Sequence, residues 1–309
     1  MAGEPTALEQ LLREDPDDDL SWQVYGDALL ARGDPRGELI ALELGGYDGP
    51  EHQARIQALD KAQVDAIAPR TGTFELEWRH GFVIAAVGRD LEFPRDVETF
   101  VELLTTPQLR LLSRLTLGFE SWSQELGDPS ESGLEWLADF GDRADTIPTL
   151  ARADLRGLCS LSFAYGGAGE PLATVLAGLA LPRLRDLDLR YCALGDAGAT
   201  ALAQNPTLCA LRVLRLQSNG IGPRGVEALA KAPALLALEE LDLRGNPIGS
   251  DGAKALADAP QLASLERLYL DPLRRPEQRT NIAAPLAASK HLRPGLARLW
   301  RARSATGGR

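Results

Sequence analysis

Cysteine, histidine, methionine and aromatic residues are all scarce in this chain. Its 309 residues include three cysteines, three histidines and one methionine, and aromatics make up 6%. Cys159, Cys192 and Cys209 have no paired spacing, which excludes a disulfide framework and suits a reducing compartment. His52, His80 and His291 are scattered, with no cysteine or carboxylate at ligand spacing, so no zinc site is expected. No uninterrupted apolar stretch approaches the roughly eighteen residues that cross a membrane. The opening MAGEPTALEQLLREDPDDD carries neither a basic nor an apolar leader region. The expectation is a soluble cytoplasmic protein with no membrane span, no cofactor and no metal.

Apolar residues reach 44%, so the core must be aliphatic, built mostly of Leu and Ala. The net charge of −11 is unevenly spread: from Asp271 onward nine Lys/Arg face two Asp/Glu, a net +7 that leaves −18 for residues 1–270. An acidic body repels phosphates and argues against general nucleic-acid binding. The basic tail is where an anionic partner remains conceivable.

A repeated sentence fills the second half of the chain. Leu184, Leu211, Leu238 and Leu265 stand 27 residues apart, and a weaker copy begins at Leu158, 26 residues before Leu184. The aligned openings read LRDLDLRYC, LRVLRLQSN, LEELDLRGN and LERLYLDPL. Gly195, Gly222 and Gly249 also align, as do Gly198, Gly225 and Gly252, then an Ala-Leu-Ala triplet, then Pro206, Pro233 and Pro260. Each opening predicts a short strand on which Leu187 and Leu189 share one side while Asp186, Asp188 and Arg190 share the other. After the glycines the spacing turns helical, with small residues expected to bring helix close to strand and proline to stop it. One unit cannot bury its own leucines, so neighbouring units must stack.

These openings follow Leu-x-x-Leu-x-Leu-x-x-Asn/Cys, and residues 158–271 resemble the ribonuclease-inhibitor class of leucine-rich repeats. The resemblance implies an α/β solenoid shaped as a horseshoe, with parallel strands on the concave side and helices on the convex side. It also implies that Asn219 and Asn246 turn inward as a structural ladder bonding the backbone of neighbouring coils. Cys192 occupies the same slot and is read as structural.

The front of the chain is unrepeated. Asp19 is expected to cap a helix with Leu20, Val24 and Ala28 as its inner face, Gly33 to end it, and Asp34-Pro35 to open the next. EHQARIQALDKAQVDAIA predicts a longer amphipathic helix. The runs Tyr25-Gly26-Asp27 and Gly33-Asp34-Pro35-Arg36-Gly37-Glu38 resemble the small repeat-companion domain found ahead of repeat arrays in certain bacterial proteins; Gly26 stands where that form has Ala. FELEWRHGFVIAAVG predicts a hairpin around His80-Gly81 that covers the front edge of the sheet. DVETFVELLTTPQL has helical spacing at Val97, Phe100, Val101 and Leu104, LLSRLTLGF is another strand, and the acidic stretch after it is an insertion with a helix near Leu134–Phe140. Pro272–Trp300 forms a closing unit with a further start at Leu292 and Trp300 on the last coil, and RARSATGGR is a frayed end. The expected organisation is thus a small all-helical region (1–68), a hairpin, degenerate repeat and insertion (69–157), regular repeats (158–271), and a cap with a basic tail (272–309).

No constellation for reaction chemistry emerges. Asp15, Asp17 and Asp19 begin like a calcium loop, but Leu20 stands where glycine is required and Gly26 where a carboxylate is; helix capping accounts for them. No histidine lies near Cys159 or Cys209 in sequence to activate either thiol, and the glycines of AYGGAGEP belong to the repeat's own turn. What remains is the outward side of the strands. One column reads Ser162, Asp188, Arg215, Asp242, Tyr269, and the next Ala164, Arg190, Gln217, Arg244, Asp271. With Asp186 and Arg267 these form either a self-neutralising charge ladder or a patch of Arg and Tyr that recognises a protein partner. The first expectation is a non-enzymatic adaptor using this face. Alternatives are an activator of a small GTPase working through Arg190, Arg215 or Arg244, and contact of the basic tail (274–303) with an anionic surface or nucleic acid.

Overall fold

The computed structural model describes residues 7–46, 49–71, 74–88, 95–117, 150–163, 169–271 and 282–305. The expected insertion helix near Leu134–Phe140, the Ala164 position, the RRPEQR stretch and residues 306–309 lie outside them. Among the described residues no helix is long and apolar enough to cross a membrane.

Four helices lead: α1 (Ala7–Glu14), α2 (Asp19–Leu30), α3 (Pro35–Leu44) and α4 (Pro50–Thr71). Asp18, not Asp19, caps α2; its carboxylate accepts from the Leu20 N–H and the Ser21 hydroxyl. The inner face of α2 is also not the expected one. Trp22, Tyr25 and Leu29 are buried, while Leu20 and Val24 stand exposed and Ala28 is half-buried. This helix carries two apolar stripes, and the larger, aromatic one takes the core because it removes more surface from water. Gly33, at φ 72°, closes the helix, and Asp34 caps α3 by accepting from the Arg36 N–H at 3.0 Å, with Pro35 as the first helical residue. In α4 the buried side chains are Leu59, Gln63 and Ile67, one turn apart.

The strands β1 (Phe74–Arg79) and β2 (Phe82–Gly88) form an antiparallel hairpin. His80 and Gly81 both adopt positive φ, 50° and 76°, the backbone a tight hairpin turn needs. Phe82 carries the hairpin into the helices, its ring 6.0 Å from Trp22 and 5.7 Å from Tyr25. Beside it the fully buried Glu9 carboxylate is held by Arg110 at 2.5 Å and by the Tyr25 hydroxyl at 2.9 Å. A carboxylate buried without such partners would be strongly destabilising. Helix α5 (Arg95–Leu103) follows with Phe100 and Leu103 fully buried; the Val97 side chain lies outside the described set.

Six further strands continue the sheet in chain order: β3 (Arg114–Leu117), β4 (Ser160–Ser162), β5 (Asp186–Asp188), β6 (Val213–Arg215), β7 (Glu240–Asp242) and β8 (Arg267–Tyr269). From β2 onward every pairing is parallel. Leu161, Leu187, Leu214, Leu241 and Leu268 are successive partners in register, as equal unit lengths require. Between strands run α6 (Gly169–Gly178), α7 (Gly195–Ala203), α8 (Pro223–Ala230) and α9 (Gly249–Ala257), which with the strands enclose an almost purely aliphatic core.

The small residues of the unit serve a contact different from the one expected. A Cβ on Gly225 would lie 2.8 Å from Ile221 Cγ2, 2.8 Å from Asp196 Oδ1 and 3.0 Å from Ala199 Cβ. The close approach is therefore between α7 and α8, helix to helix, and not between helix and strand. Asp196 exploits it: its Oδ1 accepts from the Gly222 and Gly225 N–H groups at 2.7 and 2.8 Å, capping α8 from the preceding coil. The helices end at Ala203, Ala230 and Ala257, each three residues ahead of its proline, and the amide of buried Asn205 binds the Leu176 and Leu179 carbonyls.

The closing unit is α10 (Ala284–Ala288) and α11 (Pro294–Ala305). Leu292 does not begin another strand. Two residues later Pro294, with its fixed φ and missing N–H, opens a helix instead. Trp300 is fully buried against the coils, and α11 stays helical through Ala305, so Arg301–Ala305 are not frayed. Arg293 pairs with Glu266 at 2.5 Å, Arg301 donates to the Ala287 carbonyl at 3.1 Å, and Arg303 lies 4.9 Å from the Trp300 ring centre.

Candidate functional site

Each coil presents two polar layers, one under the strand ends and one on the open face of the sheet. The inner layer is the asparagine ladder. Asn219 Oδ1 accepts from the Cys192 and Leu194 N–H groups at 3.0 and 3.3 Å, and its amide donates to the Leu189 carbonyl at 2.7 Å. One coil on, Asn246 Oδ1 accepts from the Asn219 and Ile221 N–H groups, both at 3.0 Å, and its amide donates to the Leu216 carbonyl at 2.8 Å. Cys192 makes the equivalent contact to the preceding coil, its thiol donating to the Phe163 carbonyl at 3.1 Å, but it has no amide oxygen to accept with. These three side chains pair buried backbone that would otherwise lack partners, and they face away from the open side.

The open face carries the first of the columns read from sequence; the second lies beyond the strand ends, and its Ala164 falls outside the described residues. Strand register aligns Ser162, Asp188, Arg215, Asp242 and Tyr269 across β4 to β8. It likewise aligns Ser160, Asp186, Val213, Glu240 and Arg267. The charges do not pair simply across adjacent coils. Arg190 and Arg244 fold back onto carboxylates of their own coils, Asp188 and Asp242, with Nε–O distances of 2.9 and 3.0 Å. The same carboxylates accept from the Arg190 and Arg244 backbone N–H groups, each at 3.1 Å, and Gln217 donates to Asp242 at 2.8 Å. Between coils, Arg215 Nη1 bonds both Asp186 oxygens at 2.9 Å, its Nη2 lies 3.9 Å from Glu240, and Arg267 Nε bonds Glu240 at 2.6 Å. The Arg244 guanidinium also lies 5.4 Å from the Tyr269 ring centre.

Two residues assigned to the outward face are therefore floor, not surface: Asp188 and Asp242 are buried. Alternation along a strand tells which side a residue takes but not what covers it, and here the arginines two positions on lie over them. Glu240 was missed. Its signal was present, since it stands one period before Arg267 and so opposes it. Burial pushes the Asp186 carboxyl above its ordinary value, against the pull of Arg215, and the hydrogen bond that Arg244 donates to Asp242 holds its guanidinium above its own.

Other candidates resolve differently. Asp17 and Asp19 pair with Arg79 at 3.0 and 3.5 Å, and Asp15 accepts from the Asp17 N–H at 3.1 Å. Burial raises the Cys159 thiol above its ordinary value, the opposite of an activated nucleophile. A cavity of about 210 Å³ between α1 and residues 154–158 holds Arg13, Arg110 and Arg156. Of these, Arg110 is tied to Glu9 and Arg156 to Asp154.

A sheet whose coils each add one strand and one helix, from β4 to β8, defines a solenoid-like α/β array. Residues 181–203, 207–230 and 237–257 match the family model described as Leucine Rich repeat, which supports leucine-rich repeats over residues 181–257. No curated protein matches the chain.

Proposed function

We propose that the protein is a non-enzymatic adaptor whose leucine-rich repeats, of the ribonuclease-inhibitor type and curved into a horseshoe, grip a partner protein on their concave strand face. The leading helices are then a repeat-companion region of bacterial type, and the setting is the cytoplasm. One observation carries the reading. Arg215 and Tyr269 share one strand column and Arg267 stands in the neighbouring one, Arg190 and Arg244 fold over Asp188 and Asp242 of the same face, and the asparagine ladder and the leucines take up the structural work on the other side. Concave solenoid faces commonly bind partners, and Arg and Tyr are the residues that most often anchor such contacts. The GTPase-activator reading finds no comparable support, because an arginine that enters a partner's nucleotide site must extend away from the sheet, whereas these three are held back against it by Asp188, Asp186 and Asp242.

The test is proximity labelling in the native cell with wild type, with Arg215→Glu/Arg244→Glu and with Arg224→Glu, which makes a single such charge reversal on helix α8. Proteins lost with the first variant and retained with the second support the face. An identical set of labelled proteins for all three would overturn it.

A further inference from the structure

The open face separates its charges by depth. Arg244 leaves 53% of its side chain exposed above Asp242 at 3%, and Arg267 leaves 48% above Glu240 at 15%. Arg190, 36% exposed, covers Asp188 at 9%. At these three pairs the carboxylate is the floor and the guanidinium the surface, whereas Arg215 and Asp186 are equally exposed at 32% each. Asp242 is saturated from below by the Arg244 backbone N–H and by Gln217. The exposed Asp271 at the edge of this face is turned onto the Gly245 N–H at 2.7 Å. An approaching group therefore meets donors first.

The donors are also oriented. Arg267 engages Glu240 through Nε, Arg244 engages Asp242 through Nε and Nη2, and Arg215 engages Asp186 through Nη1. In each case a carboxylate of this face holds part of the planar guanidinium, and Nη1 of Arg244 and both Nη groups of Arg267 lie outside those bonds. Holding an arginine this way removes rotamer freedom before any ligand arrives, and so lowers the ordering cost of binding. Fixed guanidiniums match the planar carboxylate group.

We infer that the partner segment this face takes is an acidic one, rich in Asp and Glu, held by Arg215, Arg244 and Arg267 beside the Tyr269 ring. The inference rests on the proposal that this face binds a protein, and it adds the chemistry of what is bound. It runs against the bulk electrostatics: at a net −11 the chain as a whole repels acidic peptides, so selection for them requires local recognition.

The experiment is panning of a random linear-peptide library on the full-length chain, followed by fluorescence anisotropy with the selected peptides. Asp and Glu enriched over the input library, with binding that weakens as salt rises, are expected. In Arg215→Gln/Arg244→Gln the dissociation constant should rise about tenfold or more. Arg224→Gln, on the helix side, should leave it unchanged, and thermal melts should establish that both variants are folded. Selected peptides that are neutral or basic, yet lose binding in the double variant, would overturn the acidic specificity and leave the face as a protein site. Selected peptides indifferent to the double variant, or no enrichment at all, would overturn the inference, and the labelling experiment above separately decides the face.

Discussion

The front of the molecule and its repeats bury their cores by different means. Around α1, α2 and the hairpin, three aromatic rings meet an arginine, with Arg36 4.2 Å from the Phe82 ring centre, and the buried Glu9 pairs with the exposed Arg110. From residue 181 to 270 only Tyr191 and Tyr269 are aromatic, and the core is Leu and Ala set down at one period. A repeat needs residues that tile, because each coil must fit its neighbour on both sides. A one-off end has no such constraint and can use large, oriented side chains. The repeat region therefore owes its order to many equivalent contacts, and the front to a few singular ones.

That contrast can be broken at either end. Asn219→Ala should have the largest effect. It strips partners from the Cys192 and Leu194 N–H groups and the Leu189 carbonyl, at about 1–3 kcal/mol for each buried group. Amide hydrogen exchange should then quicken in the coils on both sides of residue 219, and exchange that stays at the wild-type rate there would rule out the ladder as a support. Trp22→Ala should come next, costing about 3–5 kcal/mol in urea unfolding as expected for a fully buried aromatic. On the other stripe of the same helix, Leu20→Ser/Val24→Ser should move stability by no more than about 0.5 kcal/mol. Equal losses from the two would mean that α2 packs by the face first expected.

The smallest effect is a difference of sign with pH. Asp34 feels burial, which raises its carboxyl, but the hydrogen bonds and charge of Arg36 outweigh it and hold the group below its ordinary value. Its contribution is present above the ordinary carboxyl range and is lost as pH falls through it. Asp186 is raised, so its contribution is present at low pH and lost as pH rises. As pH rises through the carboxyl range, wild type should gain stability relative to Asp34→Asn and lose it relative to Asp186→Asn. Urea midpoints that run parallel for all three proteins would contradict both assignments.

How much could be read beforehand follows the same division. The columns of the open face were legible because strands of equal-length units must pair like with like, so Arg215 had to lie beside Asp188 and Asp242. The hairpin was legible from His80-Gly81 and the opening of α3 from Asp34-Pro35, because their signals are local backbone chemistry. The inner face of α2 was not. Leu20-Val24-Ala28 and Trp22-Tyr25-Leu29 are both helical stripes, and only the distant side chains that arrive there, Leu12, Ile40, Phe82 and Leu111, choose between them. The depth of Asp188 and Asp242 was equally hidden, since it depends on side chains two residues on and one coil away.

The one-dimensional chain, then, determined the period, the strand register and the aliphatic character of the core, all of which follow from spacing and residue type. The tertiary structure decided which of two apolar stripes is buried, that the glycines bring helix to helix, and that Asp188, Glu240 and Asp242 lie under the arginines of the open face. These outcomes depend on which distant surfaces arrive at a given side chain, and spacing along the chain does not carry that information.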